Sequence, residues 1–204
     1  MNTMHTHRKP AAGFTLVEML VVIAIVAIML ALAIPSYKSV TVQDRMASEI
    51  GDFTNDVELA RSAAVKQGVP VTICASATPT AAAPACDGTN WSTGWIVFTD
   101  VANPANQTYG AAGGDTLLRV HSALQGGDTL AGSTGAIGAY SGTLNVLEFN
   151  RMGGTQVAGG STEFDVFSLH DNANTVAWRR CLLVAGVGTS QLSTQYQNPG
   201  DDCP

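Results

Sequence analysis

Gly13-Phe14-Thr15-Leu16-Val17-Glu18-Met19-Leu20, continued as an apolar run to Ile34, is the stretch that decides how this chain is built. From Phe14 to Ile34 the only ionisable side chain is Glu18, and Arg8 and Lys9 lie just upstream. About 20 apolar residues in α-helix cross the hydrocarbon core of a bilayer. Basic residues ahead of such a helix keep its N-terminus cytoplasmic, so the remainder of the chain is expected to be carried across. Glu18 is the anomaly: an ionised side chain in hydrocarbon costs roughly 2.5–3.5 kcal/mol on insertion scales and calls for a partner or a function. A cut between Gly13 and Phe14 supplies one, because the new ammonium lies one helical turn from Glu18. The competing reading is a secretory signal cut at the small-x-small site Ala31-Leu32-Ala33. Its apolar core would be longer than usual, and Glu18 would have no role in a discarded segment.

A short basic leader, a glycine and then Phe-Thr-Leu-Val-Glu resembles the N-terminal signature of the type IV pilin-like family. The resemblance implies that a membrane-embedded prepilin peptidase cuts after Gly13 and methylates the amine of Phe14. It also implies that Glu18 pairs with the N-terminus of a neighbouring subunit during filament assembly.

Beyond the apolar run, Pro35 is expected to bend the helix, since it lacks a backbone donor and crowds the preceding turn. The helix then resumes. Met46, Ile50, Phe53, Val57, Ala60 and Ala64 recur at three- and four-residue steps and form one core-facing stripe, while Asp44, Glu49, Asp52, Asp56 and Glu58 are read as polar surface. Gly68 and Pro70 end the helix. Taken as continuous from Phe14 to Gln67, it is about 80 Å long at ~1.5 Å per residue. The expected organisation is a leader over 1–13, a membrane or filament-core helix over 14–34, an amphipathic helix over 35–68 and a periplasmic β-sheet domain over 69–204.

After Gly68 the pattern changes to short β-type runs separated by Gly, Pro, Asn, Asp and Ser. Strands are predicted at Val69–Cys74, Gly94–Thr99, Thr116–Val120, Leu144–Phe149, Glu163–Leu169 and Val176–Ala185. Loops of low complexity are predicted at Ala75–Asn90, Val101–Gly114 and Gln125–Gly142. One long helix followed only by antiparallel-type strands gives an α+β domain with the helix laid against a sheet. Trp91 and Trp95 are read as packing residues. The segments Asn90–Asp100, Leu118–Val120, Leu147–Gly154 and Arg179–Val184 resemble the GspH/FimT group of minor pilins and pseudopilins. This implies the pilin fold, a long N-terminal α-helix packed on a C-terminal antiparallel β-sheet domain.

The chain has 204 residues and a formal charge of −6, which becomes −8 once Arg8 and Lys9 are removed. An acidic surface repels polyanions, so nucleic acid is an unfavoured partner. Cys74, Cys86, Cys181 and Cys203 all follow the membrane segment, in an oxidising compartment, and their even number suggests two disulfides. Of three connectivities, Cys74–Cys86 and Cys181–Cys203 are the local ones, the first closing a Pro/Ala-rich loop and the second pinning the C-terminal tail. A four-thiolate zinc site lacks its usual Cys-x-x-Cys spacing.

No enzyme signature is present. His121 and His170 sit in no catalytic pattern and are read as exposed or satisfied surface residues, and Gly186-Val187-Gly188 lacks the rest of a dinucleotide motif. Asp87, Asp100, Asp115 and Asp171 are not spaced as a calcium loop. No cofactor is expected.

Three functions follow from the resemblance. A minor pilin would prime pilus assembly or sit in the tip complex, with other minor pilins, the major pilin, the prepilin peptidase, the inner-membrane assembly platform and inner-membrane lipid as partners. An H-type pseudopilin would serve a type II secretion system with the same architecture. A DNA-capturing pilin would need an Arg-rich C-terminal motif, and the matching place, Gly186–Ser190, has no arginine. Arg179-Arg180 is the one basic pair beyond the helix, and neighbouring strand residues point to opposite faces. In every case the chain is placed in a bacterial inner membrane with its C-terminal domain periplasmic, and then in a pilus or pseudopilus.

Overall fold

The computed structural model describes residues 13–101, 107–136, 139–140, 142–155 and 163–193. It divides into two compact units, residues 1–41 and 42–204.

Helix α1 runs from Leu16 to Gln67 without interruption at position 35. Its first turn is closed by Thr15, whose Oγ1 accepts from the Glu18 backbone N–H at 3.2 Å. A Thr three residues before a Glu is the capping-box spacing, so the Thr-Leu-Val-Glu stretch also fixes where the helix begins. Gly68 ends it at φ 69, its N–H bonded to the Ala64 carbonyl at 2.9 Å. Only glycine takes that left-handed position without steric cost.

In the second unit, residues 42–67 of α1 pack on two antiparallel sheets. The first, ordered β3-β2-β1-β6, comprises β1 (Val71–Ala75), β2 (Trp95–Thr99), β3 (Leu117–His121) and β6 (Val146–Phe149). The second, ordered β5-β4-β7-β8-β9, comprises β4 (Thr129–Ala136), β5 (Ala139–Tyr140), β7 (Glu163–His170), β8 (Arg180–Ala185) and β9 (Ser190–Ser193). The α+β pilin fold expected from the element order is present, with two sheets where one was foreseen.

The helix stripe behaves as its spacing predicts. Met46, Ile50, Phe53, Val57, Ala60 and Ala64 are all buried and join one core with Val71, Ile73, Trp95 and Val97 of the first sheet and Phe167, Leu169, Leu182 and Val184 of the second. Alternation along each strand sends the intervening residues to the outer faces. On the first sheet these are Cys74, Ile96 and Phe98, packed under Cys86, Tyr109, Leu117 and Val146. On the second they are Val166, Cys181 and Leu183, with Phe164. Each sheet thus has a second, smaller apolar layer on the face away from the main core.

Four expectations need correction. Gln125–Gly142 is not a loop throughout: it contains β4, which pairs with β7 along its whole length from Thr129↔His170 to Ala136↔Glu163. Thr129-Leu-Ala-Gly-Ser-Thr-Gly-Ala has little intrinsic strand preference, and the pairing with β7 overrides it. The small residues have a packing reason, since a Cβ on Gly132 would collide with the Leu144 carbonyl and lie 2.9 Å from the Trp91 indole nitrogen. Val176–Ala185 is not one strand but a 3₁₀ turn, Val176–Trp178, followed by β8. The expected C-terminal tail, taken from Gln191 onward, begins inside a strand, because Ser190–Ser193 pairs with β8. Glu49 and Asp56 are not polar surface: both are buried, with Asp56 only 1% exposed.

Candidate functional site

The first candidate lies at the N-terminus. Phe14 is 75% exposed, Glu18 is exposed, and every described side chain from Leu16 to Ile34 faces outward in the isolated chain. The apolar stretch of α1 is long enough to cross a membrane by length and composition. An unpaired apolar surface of this extent calls for lipid or other protein around it. Nothing lies within 4 Å of a Cβ built on Gly13, so no crowding within this chain demands glycine there. A requirement for glycine would have to come from whatever handles the Gly13–Phe14 bond.

A second polar constellation lies where α1 meets β3 and the connection into β4. Arg45 donates from Nε and Nη2 to the two oxygens of Asp128 at 2.8 and 2.7 Å. One helical turn on, Oε1 of Glu49 accepts from the Gln125 backbone N–H at 2.8 Å. Burial, reinforced by the neighbouring Asp128 carboxylate, pushes the Glu49 carboxyl up to about 7. The hydrogen bonds with Asp128 raise the Arg45 guanidinium further above its ordinary value. Asp56, two turns along the helix from Glu49, accepts from the Trp95 indole N–H at 2.9 Å and lies 3.5 Å from Arg119. Burial holds its carboxyl above the usual range against the opposing pull of Trp95 and Arg119. His121 stacks flat on Trp95, ring centres 3.9 Å apart, with Nε2 4.0 Å from Asp52. These are polar anchors of the helix on the sheets. The only sequence signal for them was acidic residues at i, i+3 and i+7 (Glu49, Asp52 and Asp56) beside the apolar stripe, which reads equally well as a solvated face.

Cys74 and Cys86 form a disulfide. Cys181, in β8, is buried and is not a free thiol. Its expected partner Cys203 lies outside the described residues. The loop acids are occupied by backbone: Asp87 accepts from Ala77 N–H, Asp115 from Val101 and Gly110 N–H, and Asp171 from Thr175 N–H and its hydroxyl. Among the described residues no group of three His, Cys, Asp or Glu is placed to hold a metal ion. His170 pairs with Asn174. Trp91 and Trp95 are buried packing residues, as expected. Arg179 precedes β8 and bonds Asn174, while Arg180 begins the strand.

Residues 49–188 match the family model of the type II transport protein GspH, and residues 8–34 match the prokaryotic N-terminal methylation motif. The chain belongs to the GspH family. The two matches split at the helix: the methylation motif covers the exposed apolar part, and the GspH match starts at Glu49, among the buried anchors. No curated protein matches the chain in sequence. In structure it is similar to the type IV minor pilin FimU of Pseudomonas aeruginosa, with 18% identity, a TM-score of 0.53, and 74% of this chain and 89% of that chain covered. A second crystal form of FimU gives 20% identity, a TM-score of 0.48 and coverage of 72% and 90%. The first of these likenesses supports the pilin fold. The GspH family is one of structural pilins rather than enzymes.

Proposed function

We propose that this GspH-family chain is a minor type IV pilin that primes pilus assembly or forms part of the tip complex. The observation that carries the reading is the matched methylation motif joined to an apolar helix whose described side chains, Leu16 to Ile34, all lie exposed in the isolated chain. On this reading a prepilin peptidase removes residues 1–13 and methylates Phe14, and the helix is held in the inner membrane with the second unit periplasmic. Glu18 then neutralises the N-terminal ammonium of a neighbouring subunit as the helix leaves lipid for the filament core. An unpaired carboxylate is costly in both places, so the pairing favours docking in one axial register. The Cys181–Cys203 disulfide belongs to the same proposal, because both cysteines would be oxidised on that side of the membrane.

A second reading, an H-type pseudopilin of a type II secretion system, is favoured by the description of the matched family as a type II transport protein. Both readings need the same helix, carboxylate and sheets. A clean deletion separates them: loss of surface pili and twitching with normal secretion supports the first, and loss of protein secretion with normal pili supports the second. Nucleic-acid capture is disfavoured by the acidic charge and by the absence of arginine from Gly186–Ser190.

A further inference from the structure

The contact between α1 and the connection from β3 to β4 is built around a carboxyl with one oxygen that lacks a donor. Glu49 is 8% exposed, and while Oε1 takes the Gln125 N–H, Oε2 is buried with no hydrogen-bond donor. The neighbour from the connection is Asp128, another buried carboxylate, whose two oxygens are already engaged by Arg45. Two ionised carboxyls side by side with one guanidinium leave a buried negative charge uncompensated, which is expensive away from water. A proton on Glu49 removes that charge and supplies a donor toward Asp128. Position 126 adds tightness: Gly126, at φ 65, lies so close to the Arg45 guanidinium that a Cβ there would collide with it. This connection also joins β3, an edge strand of the first sheet, to β4 of the second.

We propose that Glu49 is a proton-operated latch: protonated, it ties the Gln125–Asp128 connection to α1 through Asp128 and Gln125, and ionised, it releases that connection. Release widens the adjoining groove of about 450 Å³ lined by Arg45, Glu49, Asp52, His121, Ser122 and Gln125. The groups facing Glu49 and Arg45 are Asp128 from the connection and Asp171 from the turn after β7, while Asp52 of α1 and His121 of β3 line the groove. The sign follows from the carboxyl's elevated value, about 7 against 4.5 for an ordinary glutamate. The folded unit holds the proton more tightly than the unfolded chain, so the latch is fully closed below about pH 4.5 and is lost as pH rises through about 7.

The test is hydrogen exchange followed by mass spectrometry on the full chain in detergent micelles at pH 6 and pH 8, corrected for intrinsic exchange rates. Opening of the peptide spanning Ser122–Asp128 is expected to increase about tenfold between the two values, as one proton released near pH 7 requires. Glu49→Gln, which keeps the shape and a donor, should hold the pH 6 protection at both values, and His121→Gln should leave the tenfold change intact. Equal protection at both pH values in the parent chain would overturn the proposal, whether or not Glu49→Gln folds. Abolition of the change by His121→Gln would also overturn it, by assigning the proton to the imidazole.

Discussion

At Phe53 the helix meets both sheets. Its ring stands edge-on to Trp91 and Trp95, with centres 5.4 and 5.0 Å away, and is tilted against Phe167 at 4.7 Å. The helix is thereby fixed to both sheets through one side chain. Phe53→Ala should cost about 3–5 kcal/mol, because transfer and cavity terms add where rigid aromatic neighbours cannot collapse; chemical denaturation of the parent and variant measures it, and a loss under about 1 kcal/mol would show that the cluster repacks. Phe53 was legible, since its place in the stripe follows from 3.6-residue periodicity. Glu49 and Asp56 were not, because a carboxylate beside an apolar stripe reads as surface until its tertiary partners are known, here Gln125, Asp128 and Trp95. Glu18 is the opposite case: in a greasy helix a lone charge needs explanation, so one residue pointed to function. Glu18→Ala is expected to abolish incorporation into filaments while leaving the circular dichroism and melting of the second unit unchanged, and pili with a normal content of the variant would refute its assembly role.

Among the elements, the outer faces of the two sheets share one feature. Cys74 of β1 and Cys181 of β8 both point to outer faces, each within a small apolar layer of its own. The Cys74–Cys86 bond spans 12 residues and draws the loop after β1 across its layer. Closing a loop of this size removes unfolded-state entropy worth roughly 3 kcal/mol. Cys74→Ser should therefore lower stability by about 2–4 kcal/mol under oxidising conditions and by little in the presence of reductant, as read by urea melts in both. On the proposed Cys181–Cys203 pairing, the same reasoning applies to Cys181. Cys181→Ser should expose the chain beyond Ser193 to limited proteolysis, and cleavage at the parental rate would argue against a Cys181–Cys203 staple. Strand β4 shows where sequence reading stops: Gly, Ala, Ser and Thr carry no strong preference, and its existence rests on pairing with β7 and on room for Trp91 above Gly132. Strands rich in Val, Ile, Phe and Trp, such as β2, were legible to within a residue because propensity and burial agree there.

For the whole molecule, the division of labour lies along one helix. Residues 16–34 offer an apolar surface that the isolated chain leaves open, and residues 46–64 use their apolar face within the second unit's core. The first half therefore leaves its surface open to lipid or other subunits, whereas the apolar face of the second is packed against the sheets. Gly13→Val should block removal of residues 1–13 and leave the chain in the membrane at its unprocessed mass, with the second unit still folded, since nothing around Gly13 opposes a side chain. On the proposed assembly route an apolar anchor is trimmed to expose an amine at Phe14, which the lone acid of a neighbouring subunit then helps to seat. Intact-mass and N-terminal peptide mass spectrometry of the protein isolated from native membranes tests it most directly. A chain that lacks residues 1–13 and begins with N-methylated Phe14 is expected, whereas a chain that begins at Ile34 would refute cleavage after Gly13.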